Sequence, residues 1–281
     1  MNVKEVQLQL EERDFRFLKE IIYKESGIKM ADTKRDLVQA RLMRRMRELR
    51  IDDYGIYSEY LRENYNSELV NFINCITTNK TDFFREPSHF SFLIDRALPT
   101  LQAEFQLHLR RPLRIWSAGC STGEEPYTLA MVLAEVQETR PAFRYEIIAT
   151  DISTRVLEVA RRAVYPMERI DPISPLYRKK YLLRGRDKNN PEIRIVPELR
   201  KKIRFGRLNF MVDDFALPES VDVIFCRNVI IYFDKATQEQ LMHKFSRYLN
   251  RGGYLFLGHS ESLHGYETPF VQVAPTIYRK P

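Results

Sequence analysis

The sequence predicts a Rossmann-like α/β domain preceded by a small all-helical domain and interrupted by a small β-containing insertion. Three observations carry that reading. Residues 1–75 show helix-period apolar patterns with few glycines and no proline. From about residue 112, short apolar runs alternate with amphipathic segments, the pattern of a parallel sheet covered by helices on both faces. Residues 166–202 break the alternation and hold five of the 14 prolines.

In the N-terminal segment, residues 10–26 form an amphipathic helix stopped by Gly27, a natural C-cap. Thr33 with Asp36 resembles a capping box and opens a helix over 34–50. Val38, Leu42, Met46 and Leu49 share one face of it. Arg41, Arg44 and Arg47 lie roughly opposite, with Lys34 beside them. Helices over 54–63 and 68–76 complete the bundle, and residues 77–87 form the passage to the next domain. The predicted domains are therefore 1–76 and 77–281, with the insertion at about 166–202.

In the second domain, strands are expected over 114–117, 145–150, 203–205, 221–226 and 254–258. Helices are expected over 127–137, 154–163 and 235–249, the last stopped by Gly252 and Gly253. Residues 270–279 read as one more strand, possibly antiparallel. The insertion is expected to hold one or two short strand pairs, with a turn at 187–190.

A length of 281 residues, 44% hydrophobic and 30% charged, suits a soluble protein with a large core. Cys75, Cys120 and Cys226 are odd in number and widely spaced, which points to reduced thiols in the cytoplasm. The opening residues Met1 to Val6 lack the apolar core of a signal peptide. No run approaches the roughly 20 apolar residues of a membrane helix, so membrane insertion is not expected. The net charge of +7 is uneven: residues 33–50 carry +5, residues 166–202 carry +6, and the remainder −4. Two basic patches on a mildly acidic body imply an acidic partner.

The chemistry concentrates in residues 112–130. A short apolar run ends in the Gly119-Cys-Ser-Thr-Gly123 turn and opens into a helix, which places a ligand at the carboxyl end of the strand. A pyrophosphate there would meet the carboxylates of Glu124 and Glu125, which repel it. S-adenosylmethionine, cationic at its ammonium and sulfonium, suits them. Glu124, three residues after Ser121, reads as a cap, and Glu125 as the ligand contact. Asp151 ends the second strand, where an acid accepts ribose hydroxyls, and the nearby Ser153 is itself a helix capper. Beyond the fourth strand, Asn228 can hydrogen-bond the adenine edge or the methionine end, and Tyr232 can reach the methyl-transfer line.

Four segments, taken together and in order, resemble the chemoreceptor glutamate methyltransferases of the CheR type. They are Thr77-Thr-Asn-Lys-Thr-Asp-Phe-Phe-Arg-Glu86, Ser121-Thr-Gly-Glu-Glu-Pro-Tyr127, Phe225-Cys-Arg-Asn-Val-Ile-Ile-Tyr-Phe233 and Gly258-His-Ser-Glu-Ser262. The likeness spans nearly the whole chain and implies a class I S-adenosylmethionine-dependent methyltransferase. It implies cofactor contacts at Asn79, Thr81, Arg85, Glu125, Asp151, Asn209, Phe210, Arg227 and Asn228, and S-adenosylhomocysteine as product. Phe210 stands where an aliphatic residue is expected, a change that a backbone contact tolerates. Arg85 and Tyr232 match the positions beside the reacting carboxylate. The implied substrate is a set of glutamates in the cytoplasmic helical region of methyl-accepting chemotaxis receptors, docked electrostatically on Arg41, Arg44 and Arg47. A monomer is the default expectation.

Rival readings fit less well. An amino-methylating nucleic-acid enzyme needs an Asn/Asp-Pro-Pro-aromatic turn where this chain has Cys-Arg-Asn-Val, and a cytosine-C5 enzyme needs Pro-Cys where Phe225 precedes Cys226. A degenerate, non-catalytic module would have lost Glu125, Asp151 or Arg85. His89, His108, His243, His259 and His264 are scattered, so no metal site is expected, and His259 reads as support for the loop after the fifth strand.

Overall fold

The computed structural model describes residues 9–105, 111–187, 189 and 191–281. The opening hexapeptide, His108 and part of the predicted 187–190 turn lie outside the described residues. Two compact units emerge. One ends at Thr78 and takes in Tyr232–Asp234; the other holds Asn79–Ile231 and Lys235–Pro281.

The first unit contains four α-helices among its described residues: α1 (Glu12–Ser26), α2 (Arg35–Leu49), α3 (Tyr54–Glu63) and α4 (Tyr65–Ile76). Apolar residues recur every three or four positions and are buried: Phe15, Leu18 and Ile22 on α1, Val38, Leu42 and Met46 on α2, Phe72, Ile73 and Ile76 on α4. Asp53 caps α3 by accepting the Ile56 N–H at 2.9 Å. The expected capping box at Thr33 and Asp36 is absent. The chain enters α2 through a 3-10 turn, Asp32–Lys34, and no side chain caps the helix start. Arg45 grips the buried Glu68 with two bonds, 2.8 and 2.6 Å, and so ties α2 to α4.

The second unit opens with α5 (Pro87–Phe92), a π-helical turn (Leu93–Ala97) and α6 (Leu98–Phe105), none of which the sequence reading anticipated. Pro87 stands in the first turn of α5, and Pro99 is the second residue of α6, just past the widened turn. Then follow β1 (Leu113–Ala118), α7 (Glu124–Thr139), β2 (Tyr145–Asp151), α8 (Thr154–Arg162), β3 (Val164–Pro166), α9 (Pro175–Tyr181), β4 (Leu182–Arg184), β5 (Glu192–Ile195), α10 (Pro197–Arg200), β6 (Ile203–Arg207), β7 (Val221–Cys226), α11 (Lys235–Tyr248), β8 (Leu249–Leu257), β9 (Val271–Ala274) and β10 (Ile277–Arg279).

The main sheet has the order β6-β2-β1-β7-β8-β10-β9. Its first five strands are parallel; β10 runs antiparallel to β8, and β9 antiparallel to β10. The single C-terminal strand expected over 270–279 is thus a hairpin, turning at Thr276 with φ 56°. The small antiparallel sheet β3-β5-β4 forms the insertion. The strand order reverses between β1 and β7, and in such sheets the crevice at their carboxyl ends receives ligands.

Alternation along β1 serves both faces. Ser117 reaches α7, while the fully buried Trp116 packs edge-on against Phe215 and Phe245. On the opposite side Phe225 stacks on Phe256 at 4.3 Å, with Phe90 stacked beyond it. Truncating a ring of this kind costs about 3–5 kcal/mol. Rigid strand ends therefore carry the site.

Candidate active site

The turn after β1 is fixed by close approach. Gly119 has φ 85°, and a Cβ there would lie 2.6 Å from Val229 Cγ2 in the loop after β7. The Gly119 and Cys120 N–H groups both donate to the Thr150 carbonyl, at 2.8 and 2.9 Å, which binds the turn to the end of β2.

Asp151 lies beside that turn, buried. It accepts the Ser121 N–H at 2.8 Å on one oxygen and the Ser153 N–H at 2.9 Å on the other. Burial pushes its carboxyl above the ordinary value, against the pull of those N–H donors. Ser153, not Asp151, caps α8 through the Val156 N–H.

The two acids that open α7 face different partners. Glu124 accepts from Thr122 Oγ1 at 2.5 Å and from Arg169 Nη2 at 2.6 Å. Its expected relation to Ser121 is not formed: Ser121 Oγ donates to the Asn79 carbonyl at 2.9 Å, and Gly123 occupies the cap position. Glu125 accepts from Ser117 Oγ at 2.6 Å and from Arg227 Nε at 2.7 Å.

The segment after Thr78 runs against this constellation. Phe84 and Glu86, the neighbours of Arg85, both adopt the left-handed conformation, φ 52° and 55°, strained for residues with side chains. The Phe84 N–H donates to Thr128 Oγ1 at 3.1 Å, and the Arg85 carbonyl accepts Arg227 Nη1 at 2.6 Å. Arg85 itself is half-buried, with Nη1 on the Lys80 carbonyl at 3.0 Å. The Thr81 carbonyl accepts Arg169 Nη2 at 2.6 Å, so Arg169 of the insertion touches both this segment and Glu124. Burial pulls the Arg169 guanidinium down, but its bond to Glu124 and the nearby Asp82 charge prevail and raise it.

Arg227 sits over the Phe90 and Phe225 rings. Beside it, Glu86, His89 and His259 bring one ligand-type atom each within 4.8 Å of one another, a cluster that their spacing in the sequence did not suggest. Arg227 already supplies positive charge there: its Nη1 lies 3.4 Å from His89 Nδ1 and 3.5 Å from Glu86 Oε2. A divalent cation on the same Nδ1 would face that guanidinium. Burial and Arg227 push the His89 imidazole down to about 4, so its 3.4 Å approach to Glu86 is not an ion pair at neutral pH. Burial pushes the Glu86 carboxyl up, yet the His259 N–H and the Arg227 charge outweigh it and hold it below the ordinary value.

Asn228 has φ 58°, and its Nδ2 lies 3.4 Å from Glu86 Oε1. Asn209 Oδ1 accepts the Met211 N–H at 3.0 Å. The Phe210 ring packs on Trp116 and Phe245 in the core, while its carbonyl accepts Lys244 Nζ. Tyr232 groups with the helical unit, where its carbonyl accepts the Lys29 N–H at 2.9 Å.

The three arginines of α2 read as receptor contacts, Arg41, Arg44 and Arg47, do not share one fate. Arg44 and Arg47 are exposed, and Arg44 pairs with Glu48 at 3.2 Å. Arg41, expected to dock the receptor with them, also donates to the Ile76 carbonyl and, at 2.7 Å, to Thr78 Oγ1, closing the end of α4. Steps of three residues turn a helix by about 300° each, so Arg41 and Arg47 stand about 120° apart around the axis. Burial lowers the Arg41 guanidinium, and Tyr232 partly offsets it.

In chemical terms the strand ends gather buried carboxylates, guanidinium groups and a carboxamide. That donor set fits a ligand with ammonium, ribose hydroxyl and carboxylate groups. Cys120 and Cys226 are buried, and burial pushes both thiols well up, so neither is a nucleophile. Arg169, Glu86, His89 and Glu261 were given no role in the sequence reading. Glu86 and Glu261 lay inside the motifs already quoted, whereas nothing local marks Arg169 among the basic residues of the insertion.

Residues 79–279 match the family described as CheR methyltransferase, SAM binding domain, and residues 13–77 match CheR methyltransferase, all-alpha domain. The chain is 40% identical over 275 residues to the chemotaxis protein methyltransferase of Escherichia coli (strain K12), covering 96% of this chain and 92% of that one. It is 41% identical over 266 residues to chemotaxis protein methyltransferase 2 of Pseudomonas aeruginosa, covering 94% and 92%. The chemotaxis protein methyltransferase of Borreliella burgdorferi is 38% identical over 262 residues, covering 92% and 91%.

Proposed function

The chain belongs to the CheR methyltransferase family and is an S-adenosylmethionine-dependent chemotaxis protein methyltransferase, and from that premise we propose that its substrate is the side-chain carboxylate of specific chemoreceptor glutamates. The observation that carries the proposal is the presence of both family domains in one chain, at 13–77 and 79–279. The products are glutamate methyl esters and S-adenosylhomocysteine, and the setting is the cytoplasmic helical region of the receptor. Among the described residues no helix is long and apolar enough to cross a membrane.

Bound S-adenosylmethionine supplies a methyl group made electrophilic by its sulfonium. A receptor glutamate is ionised at neutral pH, so its oxygen attacks the methyl carbon with no general base. The cofactor's sulfur would keep the electron pair of the C–S bond as the C–O bond forms. Alignment and desolvation are what the chain contributes. Asp151 and Glu125 hold the hydroxyl and ammonium groups of the cofactor. Asn79, Thr81, Asn209, Phe210, Arg227 and Asn228 complete the binding surface, Phe210 through its backbone because its ring is committed to the core. Arg85 and Tyr232 position the attacking carboxylate; a tight bidentate clamp by Arg85 would blunt the nucleophile, so its role is steering. Arg44 and Arg47 dock the glutamate-rich receptor helix, and Arg41 holds the end of α4.

Peptide mapping by mass spectrometry tests the proposal. A receptor cytoplasmic fragment incubated with enzyme and cofactor should gain single methyl groups on glutamate-containing peptides. Methyl groups confined to lysine, arginine or histidine would overturn it.

A further inference from the structure

Glu261 follows β8 and is 4% exposed. Its carboxylate is filled by backbone donors. One oxygen accepts N–H groups from Val229 at 2.8 Å, Ile230 at 2.9 Å and Ile231 at 3.4 Å; the other accepts from Asn228 at 2.8 Å and Gly258 at 2.5 Å. Asn228, at φ 58°, is the residue whose left-handed turn aims these successive N–H groups inward, an arrangement that receives an anion. Here the anion is a side chain of the protein. The loop from the end of β8 is pressed onto the same residue: a Cβ on Gly258 would lie 2.4 Å from Asn228 Nδ2 and 2.8 Å from Asn228 N.

We propose that Glu261 is the positioning residue of the cofactor site, its carboxylate fixing the backbone of the 228–231 loop and thereby the placement of Arg227 and Asn228. The inference rests on the reading of those two residues as cofactor contacts. Four consecutive backbone donors that turn toward one point repel one another unless a charge or ordered acceptor sits there. With Glu261 in place these loop donors all have an acceptor. Arg227 then reaches Glu125 and the Arg85 carbonyl together, and Asn228 faces Glu86. Glu261 acts through these residues and needs no contact with cofactor or substrate.

The test uses the full chain with Glu261→Gln and Glu261→Asp. Glutamine keeps the shape but turns one acceptor oxygen into an NH₂ group that confronts backbone N–H donors. Aspartate keeps the charge and falls short of part of the array. Hydrogen exchange of the 226–233 peptide should accelerate in Glu261→Gln by between about tenfold and a hundredfold, the weight of a charge-assisted bond, with helical-unit peptides unchanged. S-adenosylhomocysteine affinity and the KM for S-adenosylmethionine should worsen by a similar factor while the receptor KM holds. Glu261→Asp should recover part of both effects, and serves as the readable variant if the glutamine form does not fold. Exchange and affinity within twofold of wild type in folded Glu261→Gln, or in Glu261→Asp where the glutamine form does not fold, would overturn the proposal. If wild type itself bound no S-adenosylhomocysteine, the cofactor reading would fall, and the exchange comparison would still decide the role of Glu261.

Discussion

Arg227 and Glu125 form a buried ion pair, Nε to Oε2 at 2.7 Å, that joins the loop after β7 to the first turn of α7. Removing Glu125 leaves the buried Arg227 with only its longer contact to Glu86 at 3.5 Å, and breaking a buried pair from one side costs roughly 3–5 kcal/mol. Glu125→Gln should therefore lower the unfolding free energy by an amount on that scale, read by chemical denaturation, and weaken S-adenosylhomocysteine binding. Glu125→Met combined with Arg227→Met should regain stability without regaining the ligand. A stability loss in Glu125→Gln below about 1 kcal/mol, typical of a solvated pair, would show that the two charges are not mutually dependent.

Arg85 stands between two residues in the left-handed conformation, a strained setting held by Thr128 and by the Glu86 network. As a steering residue, Arg85→Ala should lower kcat about tenfold, the weight of one charged hydrogen bond, in steady-state methyl transfer. Unchanged turnover together with unchanged cofactor affinity would remove Arg85 from the site.

Much of the α/β architecture was legible because its signals are local. Short, nearly continuous apolar runs gave β1, β2 and β7, and Gly119 and Gly123 marked the ligand turn. What was not legible depends on tertiary partners. The stretch from Pro87 to Phe105 conceals helices because Pro99 follows a π-turn that sequence periodicity does not describe. The C-terminal hairpin hides because its turn rests on Thr276 and Pro275 rather than on glycine. At the site, sequence separated Glu124 from Glu125 by a capping argument, yet the difference lies in Arg169 and Arg227, residues far along the chain. Arg41 shows the same limit: a helical wheel places it among exposed arginines, and only the end of α4 explains why it turns inward.

The basic face of α2 gives a charge test. Arg44→Glu with Arg47→Glu should raise the receptor KM at least about tenfold at low salt, less as salt screens the contact, and leave S-adenosylhomocysteine affinity alone. Arg41→Ala should instead destabilise the fold by about 1 kcal/mol through the lost bonds to Ile76 and Thr78. Titration calorimetry with the cofactor product and receptor-dependent kinetics separate the two effects. An Arg41→Ala variant of full stability with a steeply raised receptor KM would reverse the assignment.

His89 sets a pH dependence. Its imidazole is pushed from 6.5 down to about 4 in the fold. Between those values the unfolded chain binds a proton that the folded chain does not, so this contribution is whole above pH 6.5 and lost as pH falls toward 4. Its full size is about 3 kcal/mol. Burial also raises the carboxyls of Asp151 and Glu261, so the informative quantity is the difference between wild type and His89→Gln. The variant should show a dependence shallower by up to about 1.4 kcal/mol per pH unit between pH 6.5 and 4. Parallel curves would mean that folding does not lower the His89 imidazole.

The most direct test of the proposed reaction is the chemistry of the transferred methyl. Wild-type enzyme, methyl-labelled S-adenosylmethionine and a chemoreceptor cytoplasmic fragment are incubated, and the washed fragment is exposed to mild alkali. Label that enters the fragment and leaves as methanol is the predicted result, because carboxyl methyl esters hydrolyse under those conditions. Label that enters and survives alkali would contradict glutamate esterification and place the methyl on nitrogen or carbon.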